Sequence, residues 1–250
     1  MSEPKRLADG VVRLGTSMVN WYLVGDDSGV TVVDSGLPGY RDQLEPGLRM
    51  LGRSLEDVRA VILTHGDGDH TGVAAKLAEE TEVPVYLHPA DEELVHGGRK
   101  KTEDSMLGAL FRPNIYPLLI HFIRNGGAAP AKIEHTEPLA DGVTLEVPGK
   151  PKVVHAPGHT NGHVVFAFPA HGALFVGDTI CTWNPATGNR GPQLMRPAFN
   201  VSNATALESL SRYEDLEAGL VLVGHGEPWT EGTAAAVQRA RAEAGDLAAR

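Results

Sequence analysis

The amino-acid sequence predicts an α/β sandwich built as one domain. Short β-branched or aromatic runs come first, and helical spacings are interspersed among the later ones. The 250 residues suffice for a sizeable core in one unit. No internal repeat or low-complexity linker divides the chain.

The elements follow in order. Val11 to Leu14, Asn20 to Val24 and Val30 to Asp34 read as strands, and Gly25-Asp26-Asp27-Ser28-Gly29 turns the chain between the last two. A helix is expected across Tyr40 to Leu51, a buried strand over Val58 to Leu63, a helix over Thr71 to Glu80 and a strand over Val83 to Leu87. Residues 96–131 differ in texture. Arg99-Lys100-Lys101 precedes Met106, Leu107, Leu110 and Phe111 at helical spacing, and a second apolar run covers Ile115 to Ile123. Strand patterns return at Val143 to Val147, Lys152 to His155, Val164 to Phe168 and Ala173 to Val176. Asn203 to Leu216 reads as a helix, Leu220 to Val223 as a strand, and Thr233 onward as a helix.

Composition narrows the function. The net charge of −10 disfavours a phosphate backbone as partner, so no nucleic acid is expected. No run of 18 apolar residues exists, and the N-terminus shows no apolar signal segment, so a cytoplasmic protein with no membrane partner is expected. The single Cys181 excludes an internal disulfide and a cysteine-rich zinc module.

The chemistry concentrates at the ends of apolar runs. Val61-Ile62-Leu63 leads into THGDGDHTG (64–72), with His65, Asp67, Asp69 and His70. His159 follows Val153-Val154, Asp178 follows Leu174-Phe175-Val176, and His225 follows Leu220 to Val223. Glycines 66, 158, 177, 224 and 226 flank these residues and let the backbone turn sharply. Strand ends converging at one sheet edge would gather imidazoles and carboxylates, a donor set suited to zinc, iron or manganese. Aspartates packed together also need cations between them. The plain alternative is a surface loop in which Asp69 caps the helix after Thr71.

THGDGDHTG, APGHTNGH (156–163), FVGDTI (175–180) and GHGEP (224–228), with VTVVDSGLPG (30–39), resemble the metallo-β-lactamase superfamily over nearly the whole chain. The resemblance implies a four-layer αβ/βα sandwich, two mixed β-sheets face to face with helices outside. It implies a binuclear centre in which His65, the residue at 67 and His159 hold one divalent ion, Asp69, His70 and His225 hold the other, and Asp178 bridges them. It implies hydrolysis by a metal-bridging hydroxide, with Asp69 orienting it and passing a proton. The usual family form is His-x-His-x-Asp-His, whereas this chain has Asp67 at the second position. A carboxylate there leaves two divalent ions, three aspartates and a hydroxide neutral overall, where histidine would leave one positive charge. An iron-binding redox branch of the superfamily has Glu at this position. Two zinc ions are therefore the first expectation, with iron or manganese as alternatives.

Around the centre, His163 and Asp34 are expected to orient ligands rather than bind metal. Only 24 residues follow Gly226, few for a glutathione-gripping region. A small ester, lactone or thioester with an apolar part is the expected substrate. The apolar insert at 96–131 reads equally as a lid, a homodimer contact or core. A di-iron redox protein and a non-catalytic metal-binding protein are the rival classes.

Overall fold

The computed structural model describes residues 3–105, 113–128 and 132–248. Strands β1 (Lys5–Ala8), β2 (Val11–Gly15), β3 (Asn20–Asp26) and β4 (Gly29–Val33) form an antiparallel run. Strands β5 (Val58–Ile62), β6 (Val85–Leu87) and β7 (Glu137–Pro138) extend it in parallel, giving a mixed sheet in the order β1 to β7. The second sheet has the order β13-β10-β9-β8, from β8 (Lys152–His155), β9 (Val164–Phe168), β10 (Ala173–Gly177) and β13 (Leu220–Val223). It is mixed as well, with β10 and β13 parallel and the other pairs antiparallel. A small ribbon joins β11 (Cys181–Trp183) to β12 (Arg190–Gln193).

Three apolar clusters stack through the molecule. Tyr22, Val24, Phe166, Phe168 and Phe175 fill the space between the two sheets. The other face of the first sheet packs its Val12, Leu23 and Val32 against Leu44 and Leu48 of helix α1 (Leu44–Met50) and Leu77 of α2 (Ala74–Thr81). The far face of the second sheet meets Ala206 of α5 (Asn203–Ser209) and Ala236, Val237 and Ala240 of α6 (Thr233–Ala248). The layers are thus helix, sheet, sheet, helix, and the fully buried strands β4, β9 and β10 are predominantly apolar runs.

Several expected elements are shorter than their patterns. The helix expected over Tyr40 to Leu51 is a 3-10 turn at Pro38–Gln43 followed by α1. Pro46 has no N–H to donate, so the α-type ladder can only begin around it. The helix expected from Thr71 starts at Ala74, because Gly72 N and Val73 N donate to Gly36 and Ser35 of the neighbouring loop instead. Asp69 does not cap it. The helix expected to Leu216 ends at Ser209 and continues as a 3-10 turn to Arg212. Val143 to Val147 is not a strand. It lies between Gly142 and Pro148, meets β8 through a single bridge from Thr144 to Lys152, and still buries Leu145 and Val147 between the sheets. Strands β1, β7, β11 and β12 carried no alternation long enough to read.

Within the insert, α3 (Glu92–Val95) leads to a loop through Lys100, and α4 (Tyr116–Arg124) follows. The helical spacing at Met106 to Phe111 falls outside the described residues. Helix α4 is tied down along its C-terminal half. His121 bonds the Tyr40 hydroxyl, and Gly39 N donates to Asn125 O at 2.9 Å. Tyr116, Ile120 and Ile123 face outward and are exposed. Among the described residues, no helix is long and apolar enough to cross a membrane.

Candidate metal centre

The strand ends meet as the sequence implies. β5 delivers His65 to His70, β8 delivers His159, β10 delivers Asp178 and β13 delivers His225, all at one edge of the sandwich. Two glycines make the approach feasible. At Gly224 a Cβ would sit 2.0 Å from Asp178 Oδ1, and at Gly177, with φ +50°, it would meet Thr64 Oγ1 at 2.6 Å and His163 Nε2 at 2.7 Å. No larger residue fits either place.

All four central imidazoles are held from behind through Nδ1. His70 Nδ1 donates to Asp34 Oδ2 at 3.0 Å. Thr64 Oγ1 gives its proton to Asp34, at 2.9 and 3.0 Å, and so accepts from His65 Nδ1 at 2.9 Å. His225 Nδ1 donates to Met18 O. Asn200 spends its amide on Met195 O and Asn203 Oδ1, at 3.0 and 2.6 Å, so its Oδ1 accepts from His159 Nδ1 at 2.9 Å. Each Nε2 therefore points into the same space. Around it stand Asp178 Oδ2, 3.0 Å from His225 Nε2 and 3.5 Å from His159 Nε2, and Asp178 Oδ1, 3.6 Å from His70 Nε2. Asp69 Oδ2 lies 3.5 Å from His225 Nε2 and 3.9 Å from His70 Nε2.

Donor chemistry and burial both fit a metal. His65 Nε2, His70 Nε2 and Asp178 Oδ1 are buried and have no hydrogen-bond partner. Such orphans are costly unless a cation satisfies them. Three triads have ligand atoms within 4.8 Å of one another: His65, Asp67 and His159; His65, His70 and Asp178; Asp69, His70 and His225. All seven sequence-named ligands are brought together.

The field is strongly coupled. Burial alone would lower the His70 imidazole, but Asp178, Asp34 and Asp69 outweigh it and raise its pKa to about 10. Burial acts the same way on His225, and Asp178 again wins and raises it. Burial would raise the Asp178 carboxyl, yet His225 and His70 hold it well below the usual carboxylate range. His65 is pushed well down by burial and by His70 and His159.

The two supporting residues read from sequence have distinct places. Asp34, at φ +56°, lies beneath the centre, where Thr64 N also donates to it at 2.7 Å. His163 binds no metal ligand atom. Its Nε2 accepts from Asp178 N at 3.0 Å and its ring stacks on His65 at 4.9 Å. Cys181 is buried, with its thiol bonded to Gln193 O rather than turned to the centre.

Sequence reasoning missed Asn200, Asp91 and Lys100. Asp91 accepts from Gly66 N, Gly162 N and Thr160 Oγ1, at 3.0, 2.7 and 2.6 Å, tying the first ligand loop to the His159 loop. Nothing local marks Asn200 or Asp91, because their partners are distant in sequence. Lys100 reaches into the centre from the insert. Its Nζ donates to Asp67 Oδ2 and, at 2.9 Å, to His159 Nε2.

A helix–sheet–sheet–helix sandwich with a histidine and aspartate centre at one sheet edge is the architecture of a metallo-hydrolase. A family model of the metallo-beta-lactamase superfamily matches residues 14–225, and the chain belongs to that family. It is 25% identical over 210 residues to "Probable metallo-hydrolase YybB" of Bacillus subtilis (strain 168), covering 84% of this chain and 81% of that protein. It is 29% identical over 164 residues to "Atrochrysone carboxyl ACP thioesterase dmxR1" of Cryptosporiopsis sp. (strain 8999), covering 64% of this chain and 38% of that one. Among solved structures, TTHA1623 in a di-iron-bound form is 29% identical, with a TM-score of 0.61 over 88% of this chain and 93% of that one. The chain is thus a metal-dependent hydrolase of this fold.

Proposed function

We propose that the substrate is a small ester, lactone or thioester with an apolar acyl part. The observation that carries this is the cleft above the centre. It holds about 800 Å³, its floor is Asp67, Asp69, His159, Asp178 and His225, and its walls include Leu118, Leu119 and Phe122 of α4 with Met195 and Phe199. A polar floor under apolar walls suits a reactive carbonyl carried on an apolar chain. The thioesterase named among the relatives supports the same class.

The chemistry a divalent ion supplies here is Lewis acidity and a more acidic water. The residues of the chain do the rest. His70, His225 and Asp178 would hold the ion with Asp69, and the partners Asp34 and Met18 set the tautomers of the two histidines. Asp69 borders the cleft, so its carboxylate is placed to hold a proton and hand it to the leaving group. The walls of α4 seat the acyl part and keep bulk water off it, which makes the insert a lid. Zinc is the expected metal. Iron is the alternative, favoured by Asp67 and by the di-iron form of one similar structure. The reading places the enzyme in the cytoplasm acting on a small molecule.

The test is a panel of p-nitrophenyl acetate and octanoate, matched acyl thioesters and lactones, assayed with metal-loaded protein and after chelation. Metal-dependent turnover that rises with acyl length is expected. Absence of turnover on every member by fully loaded protein would refute the substrate class.

A further inference from the structure

The insert supplies a cation of its own to the centre. Lys100 comes from the loop after α3, where Gly97 N bonds Leu94 O and Gly98 N bonds Glu93 O, turning the chain back over the ligand loops. Its ammonium then contacts Asp67 Oδ2 and lies 2.9 Å from His159 Nε2. Those are two of the three atoms that the triad of His65, Asp67 and His159 would offer to an ion.

One lone pair cannot serve two cations. Asn200 fixes the proton of His159 on Nδ1, so Nε2 carries a single lone pair, and Lys100 takes it. Asp67 Oδ2 and His159 Nε2 are both acceptors and lie only 3.1 Å apart. Such a pair needs a positive group between them, and the ammonium bonds both. The side chain of Lys100 is 14% exposed, and a cation so enclosed needs an anion. Asp67 is that anion, whereas a histidine at 67 would leave the ammonium without its bonded carboxylate. Burial would raise the Asp67 carboxyl, but Lys100 and the neighbouring histidines hold it well below the usual range. The carboxylate at 67 and the lysine at 100 therefore form one device.

We propose that Lys100 takes the place of the ion at His65, Asp67 and His159, so the chain holds one divalent ion, at Asp69, His70, His225 and Asp178, in place of the two the family resemblance implies. This rests on the metallo-hydrolase reading and specifies its metal content. The remaining ion keeps His70 Nε2 and Asp178 Oδ1, two of the three orphaned atoms, as partners.

The test is metal stoichiometry. The full chain and Lys100→Met are each equilibrated with excess Zn²⁺, freed of unbound ion by gel filtration, and analysed by elemental mass spectrometry. One ion per chain is expected for the parent and two for the variant, which keeps the stem and loses the charge. An anomalous map of parent crystals needs no variant, and should place one peak beside Asp69, His70 and His225, with the Lys100 Nζ on Asp67. Two ions in the parent, or one in both proteins, would overturn the Lys100 proposal alone. No ion in either would overturn the metallo-hydrolase reading with it.

Discussion

Asp34→Asn isolates what the buried carboxylate does for the centre. Asp34 Oδ1 accepts from Thr64 N at 2.7 Å and Thr64 Oγ1 at 3.0 Å, and Asp34 Oδ2 accepts from His70 Nδ1 at 3.0 Å. An asparagine has one oxygen and one NH₂ group, so it can accept on one side only. With the oxygen kept on Thr64, its NH₂ faces His70 Nδ1, and His70 must move its proton to Nε2, the atom needed by the metal. With the amide reversed, Thr64 N is left buried without an acceptor. Asparagine tolerates the left-handed backbone at φ +56° as aspartate does, so the perturbation stays in the hydrogen bonds.

The size of each effect follows. One buried donor left unsatisfied costs about 1–3 kcal/mol, against a typical total stability of roughly 5–15 kcal/mol, so the variant folds. Loss of a partner behind a ligating histidine costs on the order of 10–100-fold in metal affinity. Competition against a chromogenic chelator measures the affinity, and thermal melting of the metal-free forms measures the stability. A metal affinity equal to the parent's, in a folded variant, would refute the argument that Asp34 sets the His70 tautomer.

Other outcomes are expected from the same geometry. Asp178→Ala should lose the most metal of any single change, because Asp178 approaches His70, His159 and His225; retained metal content and full activity would count against it. His163→Leu should keep the ion count but melt at lower temperature, since Asp178 N loses its acceptor at a cost of about 1–3 kcal/mol. Leu118→Ala with Phe122→Ala should leave metal content alone and lower kcat/KM for octanoate esters more than for acetate; equal losses on both would reject the lid. His70, raised to about 10, carries a proton in the metal-free protein at pH 7.5, and its ligating form does not. Metal binding should therefore release about one proton from it and strengthen as pH rises from neutrality toward 10, read by calorimetry in buffers of different ionisation enthalpy. An affinity that weakened over that window would contradict the assignment.

Most strand positions, and the residues that converge at the sheet edge, were legible in the sequence for one physical reason. Both are written locally: a run such as Val61-Ile62-Leu63 specifies a buried strand, and the glycine-flanked polar residues that follow can only be its exit. The helices were legible in kind but not in extent, because their ends were decided by partners elsewhere, as where Ser35 and Gly36 capture the backbone of Val73 and Gly72. Val143 to Val147 failed for the opposite reason: its alternation was real and its burial is real, but its flanking Gly142 and Pro148 leave it room for one bridge.

Asp67 shows where a local reading stops. Its position in THGDGDHTG marks it as a ligand site, and its charge could be weighed only against the ions expected beside it. The group that touches it, Lys100, lies 33 residues away in a basic run whose partner nothing nearby in the sequence marks. Whether a lysine neutralises a solvent-facing glutamate or a half-buried aspartate depends on how the insert folds back, and the loop at Gly97 and Gly98 turns it toward the centre. The substitution at 67 and the insert are therefore one question. If the pair works as argued, Asp67→His alone should leave Lys100 enclosed without an anion and destabilise the protein, and Lys100→Met added to it should restore stability and raise the ion count to two. Circular dichroism melts and metal analysis of the two single variants and the double variant form the cycle. Independent, additive effects of the two changes would show that Asp67 and Lys100 are not coupled.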